Sequence, residues 1–330
     1  MNPSMTLGMV RDAHQRIGRL INRTPLMRSR SLSSLTSGEI FFKCENLQRA
    51  GVFKARGAFN AVYSLSDAEL ARGVVTSSSG NQAAALALAA KSRGVAAYIA
   101  MPRVALKSKV NAVHRYGGNI VWVECKGAVP TSEEYEATAA DIQSRTGANP
   151  VHPYNDLRTI AGQGTCALEI IDERPDLDMV LAPVGGGGLL AGVSAVVKAL
   201  SPGTRVIGCE PEMADDAYRS FQAGAIVPQL NPRTIADGLR TSLGDLTFAL
   251  IASNADEIVT VSEEAILRAM RLVWEVLKII IEPSSAVPVA AVLEKKVSVA
   301  GKSVAIILSG GNVDLDNLPW ATAARPSPGS

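Results

Sequence analysis

Residues 183–190 read P-V-G-G-G-G-L-L. The apolar run 179–184 leads into them, and an apolar segment of helical length, 189–200, follows. Four consecutive glycines give up backbone entropy and add no side chain to a core. They suit a place where bare N–H groups close around a phosphate at the start of a helix. The spacing is not the G-x-G-x-x-G of dinucleotide folds, and no acidic residue follows where a ribose contact is expected. A strand, a glycine loop and a helix in that order read as one unit of an α/β sheet.

Outward from this unit the alternation continues. Short apolar runs at 73–76, 95–101, 119–124, 205–209, 257–261 and 304–308 predict strands. Helical periodicity predicts helices over 82–93, 106–116, 132–144, 189–200, 263–280 and 285–296, the third opened by a capping box of Thr131 and Glu134. Arg11, Arg16 and Arg19 make the first segment an amphipathic helix. The pattern is that of an α/β protein with mostly parallel sheets flanked by helices. The tail 321–330, with two prolines and small residues, has no periodicity.

Composition bounds the function. The chain has 330 residues, 47% of them hydrophobic and 19% charged, with a formal net charge of +2. It can bury a sizeable core, and without basic runs or interleaved aromatics it is expected to bind no nucleic acid. No apolar stretch is long enough to span a bilayer, and the N-terminus does not resemble a signal peptide, so no membrane partner and a cytoplasmic location are expected. Cys44, Cys125, Cys166 and Cys209 lack C-x-x-C spacing and suit a reducing compartment. The three histidines, His14, His114 and His152, show neither metal-ligand spacing nor a G-x-S-x-G partner, which argues against a zinc centre and a serine hydrolase.

Three more stretches can carry chemistry. In G-V-F-K-A-R-G-A-F-N, residues 51–60, Lys54 follows Phe53 and precedes small residues. Desolvation there would lower its pKa and make the amine a nucleophile, whereas a surface lysine needs no such setting. In S-S-S-G-N-Q, residues 77–82, the serines and Asn81 stand at a helix start, where they can attract a carboxylate or simply cap the helix. In I-L-S-G-G-N, residues 307–312, Ser309 ends the last predicted strand, the side of an open sheet on which ligands bind.

A reactive lysine, an anion-binding helix start, a phosphate loop and a strand-end hydroxyl suit the aldehyde, phosphate and ring nitrogen of pyridoxal 5′-phosphate. With F-K-A-R-G-A around Lys54, S-S-G-N, the tetraglycine, S-G-G-N, H-P-Y-N at 152–155, I-A-G-Q-G-T at 160–165 and I-A-D-G at 235–238, the chain resembles the fold-type II pyridoxal-phosphate enzymes. Within them it is most similar to the serine/threonine dehydratase and serine racemase group, over about residues 24–315.

The resemblance implies two open twisted sheets. A large cofactor-binding domain would take residues 1–72 and 150–330, and a small substrate-closing domain residues 73–149. It implies that Lys54, beside Phe53, holds the cofactor as a Schiff base and then moves the α-proton. Asn81 would bond the ring hydroxyl, Gly185, Gly186, Gly187, Gly188 and Leu189 the phosphate, and Ser309 the ring nitrogen. Ser78, Ser79, Asn81, Gln82 and Gly238 would line the substrate, with Ser79 on the far face of Cα as in the racemases. A hydroxyl does not stabilise a protonated ring nitrogen as a carboxylate does, which favours loss of a β-leaving group over transamination. Glu210, the Ala214 carbonyl and Asp216 match a Mg²⁺ or Ca²⁺ site of the racemase-like members. A homodimer is expected, and no isoleucine feedback.

Val52, Gln82 and Ala83 depart from the family pattern, which has serine at the first position and histidine-glycine at the other two. Ala128, Val129 and Pro130 are apolar where relatives often place polar groups. The expected reaction is elimination of water from a β-hydroxy-L-amino acid with an uncharged substituent (threonine, serine or a bulkier analogue such as phenylserine), yielding a 2-oxo acid and ammonia. Serine racemase, 3-hydroxyaspartate dehydratase and, from another class, a nicotinamide oxidoreductase are the alternatives.

Overall fold

The computed structural model describes residues 5–125, 127 and 131–320. Ten strands are β1 Leu26–Arg28, β2 Glu39–Cys44, β3 Val74–Ser77, β4 Ala97–Pro102, β5 Asn119–Val123, β6 Asn149–Pro150, β7 Met179–Pro183, β8 Arg205–Pro211, β9 Glu257–Val261 and β10 Ser303–Leu308. They form a six-stranded sheet in the order β1-β2-β10-β7-β8-β9 and a four-stranded sheet in the order β5-β4-β3-β6. Every pairing is parallel except β1 with β2. β7 is buried at all five positions, as a central parallel strand covered on both faces must be. The α/β reading with two mostly parallel sheets therefore holds.

The predicted strands and helices are present, with ends moved by a residue or two in most cases. The largest shifts belong to the last two helices. Glu263–Leu277 stops three residues before the expected end because Lys278 turns left-handed (φ 59°). The next helix is Pro283–Leu293, which begins with proline at a first-turn position, where its missing N–H costs nothing. The strand β2 and the helices Lys54–Tyr63 and Leu157–Glu173 were not anticipated. The first segment is indeed helical, Leu7–Ile17, with Val10, Ala13 and Ile17 turned inward.

Lys54–Tyr63 and Leu157–Glu173 cross with almost no space between them. A Cβ added at Gly162 would lie 2.5 Å from the Arg56 carbonyl oxygen and 2.6 Å from the Gly57 Cα. The Gly57 amide donates to Gln163 Oε1 at 3.2 Å, and Asn60 Nδ2 donates to the Arg158 carbonyl at 2.7 Å. This crossing holds the Lys54 helix against the large sheet's helical layer.

Among the described residues, no helix is long and apolar enough to cross a membrane. Cys44, Cys166 and Cys209 are buried, and Cys125 is exposed just past β5. The residues 128–130, on which the uncharged-substituent expectation rests, and the tail 321–330 lie outside the described residues.

Gly162→Ala is expected to push the two helices apart and destabilise the protein by about 2–3 kcal/mol, read as a lowered thermal midpoint.

Candidate active site

The Lys54 segment and the strand-end segment are stitched together by backbone. Val52 bridges Gly310, the Phe53 amide donates to the Ser309 carbonyl at 2.9 Å, and the Gly311 amide donates to the Gly51 carbonyl at 2.9 Å. Gly51 adopts φ 69°, a conformation that glycine takes without penalty, and a Cβ there would strike the Asn312 side chain. The turn thus places Lys54 at the first position of its helix and within a few residues of the carboxyl end of β10.

The Lys54 amine donates to the Pro153 carbonyl at 2.6 Å and lies 5.1 Å from the Phe53 ring centroid and 6.0 Å from that of Tyr154. No ion pair to it is found among the described residues. Desolvation lowers its pKa to about 8, so a substantial fraction of the amine is neutral near physiological pH. His152 is desolvated in turn and faces Lys54, which brings its pKa down to about 4 and keeps the ring neutral. Its Nδ1 accepts the amides of Tyr154 and Asn155, fixing the H-P-Y-N turn beside the lysine.

Asn81 joins the same site from the small sheet. Its Nδ2 donates to Glu282 Oε1 at 2.8 Å, and its Oδ1 accepts from Asn312 Nδ2 at 2.9 Å. The Ser309 hydroxyl lies 3.1 Å from that of Ser285, which also donates to the Gly310 carbonyl and accepts the Gly310 amide, both at 2.6 Å. Ser309 is therefore held among hydroxyl and backbone groups. Ser78 accepts the Gly80 amide, Ser79 is exposed, and Gln82 is buried with neither side-chain amide atom partnered.

The four glycines follow β7 and open the helix Gly188–Leu200, which has no side-chain cap. Its first N–H groups have no partner within the helix and point toward whatever anion sits there. Side chains are excluded at each position. A Cβ at Gly185 would lie 2.8 Å from the Leu239 Cα, one at Gly186 would enter the Tyr154 ring, and one at Gly188 would lie 2.9 Å from the Tyr154 Cβ. Gly187 has φ 84°. Tyr154 thus packs against the glycine loop one residue beyond the carbonyl that holds Lys54. Gly238 is fixed by a bond from its amide to Ser284 Oγ, next to Leu239.

Hydrogen bonds thus join three of the segments, Phe53 to Ser309 through the backbone and Asn81 to Asn312 through side chains. Four members were not anticipated. Glu282 is buried, with Oε2 unpartnered, and desolvation raises its pKa to about 7. Lys109 runs under Gly80 and pairs with Asp237 beside it. Tyr154 and Asn312 complete the set. An acid standing in the apolar run I-I-I-E-P was the sequence signal for Glu282.

Glu210 and Asp216 sit one layer behind the glycine loop. Glu210 accepts the Ala217 and Tyr218 amides, and Asp216 Oδ2 accepts the Leu243 amide, whose side chain a Cβ on Gly187 would meet at 2.7 Å. Asp216 Oδ1 is buried without a partner. Desolvation raises both carboxyls, Asp216 to about 7, and Asp216 adds to the rise at Glu210. Among the described residues, no group of three or more His, Cys, Asp or Glu side chains forms a metal cluster.

The profile of the pyridoxal-phosphate dependent enzyme family matches residues 17–310. The chain belongs to that family. It is 51% identical over 308 residues to β-hydroxyaspartate dehydratase of Paracoccus denitrificans, covering 93% of this chain and 96% of the relative. It is 46% identical over 314 residues to serine racemase of Arabidopsis thaliana, covering 94% and 93%. The structure of maize serine racemase superposes with a TM-score of 0.92 at 43% identity, covering 97% of each chain. The protein is a fold-type II pyridoxal-phosphate enzyme of the serine/threonine dehydratase family. The nicotinamide alternative falls with this result. The site fits the family's cofactor: a desolvated lysine for its aldehyde, an uncapped glycine helix start for its phosphate and a strand-end hydroxyl for its ring nitrogen.

Lys54→Ala is expected to abolish the bound-cofactor absorbance and lower turnover by at least about a thousandfold. Because only the neutral amine accepts a proton, kcat of the unmodified enzyme should rise with pH through a midpoint near 8. A pH–rate profile checks this.

Proposed function

We propose that the protein is a dehydratase that converts a β-hydroxy-L-amino acid to a 2-oxo acid and ammonia, with 3-hydroxyaspartate as its substrate. The observation that carries the elimination chemistry is the environment of Lys54, a desolvated amine without an ion-pair partner among the described residues, together with hydroxyls at Ser309. The choice of substrate rests on the full-length 51% identity to a β-hydroxyaspartate dehydratase. It replaces the expected uncharged substituent, because Ala128, Val129 and Pro130 lie outside the described residues and lend that expectation no structural support.

When bound, the cofactor supplies an electron sink for the α-carbon. The chain's own residues do the rest. The amides of Gly185 to Leu189 hold the phosphate, and Ser309 keeps a neutral hydrogen bond at the ring nitrogen. Ser78, Ser79, Asn81 and Gln82 hold the α-carboxylate, Gln82 being buried with free donors and acceptors. The Lys54 amine takes the proton from Cα. The β-hydroxyl leaves with a proton, and water then releases ammonia, so the water lost across Cα–Cβ is regained in the keto acid. The four-stranded sheet, residues 73–149, closes on the substrate. In this reading the enzyme works as a cytoplasmic homodimer.

The buried carboxylates at 210 and 216, with the Ala214 carbonyl, hold a divalent cation such as Mg²⁺ or Ca²⁺. The unpartnered Asp216 oxygen supports this, since hard cations take oxygen ligands. Serine racemisation is the second reading, supported by the exposed Ser79 and the 46% identical racemase.

Keto acid and ammonia released from L-threo-3-hydroxyaspartate, L-serine, L-threonine and phenylserine, with chiral analysis of recovered serine, decide among these readings. The expected result is the highest kcat/KM for 3-hydroxyaspartate, by about tenfold or more; preference for phenylserine, or predominant D-serine, sinks it. A chelator should lower the thermal midpoint by several degrees, about what a loss of 1–2 kcal/mol gives in a chain of this size, and Mg²⁺ or Ca²⁺ should restore it.

A further inference from the structure

Behind Lys54 lies a charge cluster that no step above uses. Arg56 is fully buried and bonds two carboxylates at once. Its Nε and Nη2 donate to Glu45 at 2.7 and 2.8 Å, and its Nη1 and Nη2 donate to Glu169 at 2.7 and 2.8 Å. Nη1 also donates to Thr165 Oγ1 at 3.1 Å. Lys43 completes the cluster by donating to Glu169 Oε2 at 2.6 Å and to the Thr24 carbonyl at 2.7 Å. Two cations face two carboxylates, so the charges balance without solvent.

The geometry ties three elements to one guanidinium. Glu45 follows β2, Glu169 and Thr165 lie on Leu157–Glu173, and Arg56 lies on Lys54–Tyr63. Residues two apart on a helix are rotated by about 200°, so Arg56 grips the back of the helix while Lys54 faces the site. The grip sits on the first turn, where it is needed: Phe53 offers no side-chain cap there. The chain that presents the Pro153 carbonyl to the lysine runs directly into Leu157–Glu173, so both partners of the 2.6 Å contact hang from the same clamp.

We propose that Arg56 is a positioning residue for Lys54, whose fork onto Glu45 and Glu169 holds the half-buried lysine amine against the Pro153 carbonyl. The inference rests on Lys54 being the working lysine. A lysine at 56 has one ammonium and cannot span two carboxylates with paired bonds. The first turn would then loosen, and the amine would regain water.

The test reads Lys54 itself. The full-length chain, freed of cofactor, is pulse-acetylated across the pH range, and labelling of Lys54 is followed by peptide mass spectrometry. The unmodified chain should titrate near 8. Arg56→Lys should move the midpoint up by about one unit, toward the ~10.4 of a free lysine. Its kcat, after reconstitution, should fall about 10- to 100-fold, as a displacement near 1 Å does. Thr165→Val, which removes one bond to Arg56 together with the hydroxyl's bond to the Gly162 carbonyl of its own helix, should shift both in the same direction by less, and Thr165→Ser, which keeps the hydroxyl, should leave both at the parental values; the pair decides the matter if Arg56→Lys does not fold. A folded variant with a lowered thermal midpoint but the parental Lys54 titration and kcat would make Arg56 merely structural and overturn the proposal. Failure of the dehydratase reading would look different: no turnover of any amino acid by the unmodified chain, with the Lys54 titration still responding to Arg56→Lys.

Discussion

Two helices meet here without a side chain at the point of contact. Gly57 and Gly162 let the backbones of Lys54–Tyr63 and Leu157–Glu173 approach within the width of a single carbon. The rest of the site is arranged from that crossing. One end of the first helix carries Lys54, and the loop entering the second carries Pro153 and Tyr154. Tyr154 in turn fills the space that Gly186 and Gly188 leave open. Close packing transmits position with little slack, so an amine, a carbonyl and a phosphate loop from distant parts of the chain share one frame.

A second consequence concerns charge. The chain keeps its buried acids apart by function. Glu45 and Glu169 are matched by Arg56 and Lys43, and the two cations hold the Glu169 carboxyl below the usual carboxylate range. Glu282, Glu210 and Asp216 have no ion-pair partner among the described residues, and burial pushes them toward the neutral form. The first set is a strut. The second set lies beside Asn81 or one layer behind the glycine loop, where an incoming group can supply the missing charge or proton.

Much of this was legible in the sequence because the local signals were strong. The tetraglycine after an apolar run marked a strand–loop–helix unit of the sheet, and the alanine-rich 82–93 stretch marked a helix. The motifs around Lys54, Asn81 and Ser309 singled out segments that the fold joins by hydrogen bonds. What was missed has a common cause, tertiary compensation. E-I-F-F-K-C does not read as an interior strand because the partner of Lys43 lies 126 residues away. Gly57 and Gly162 lower the helix propensity of their segments, yet Gly162 is what lets the two backbones pack. Glu282 stands in a segment whose place at the site is set by the fold, not by its neighbours in sequence.

The distribution of sulfur has a practical side. Three thiols are sealed in the interior, where desolvation pushes their pKa upward and leaves them inert, Cys44 to about 12. Cys125 stands in solvent at the end of the edge strand β5, on the four-stranded sheet. A maleimide dye added to the native protein would therefore attach at one position per chain, beside the edge of the four-stranded sheet, with no cysteine to be engineered away.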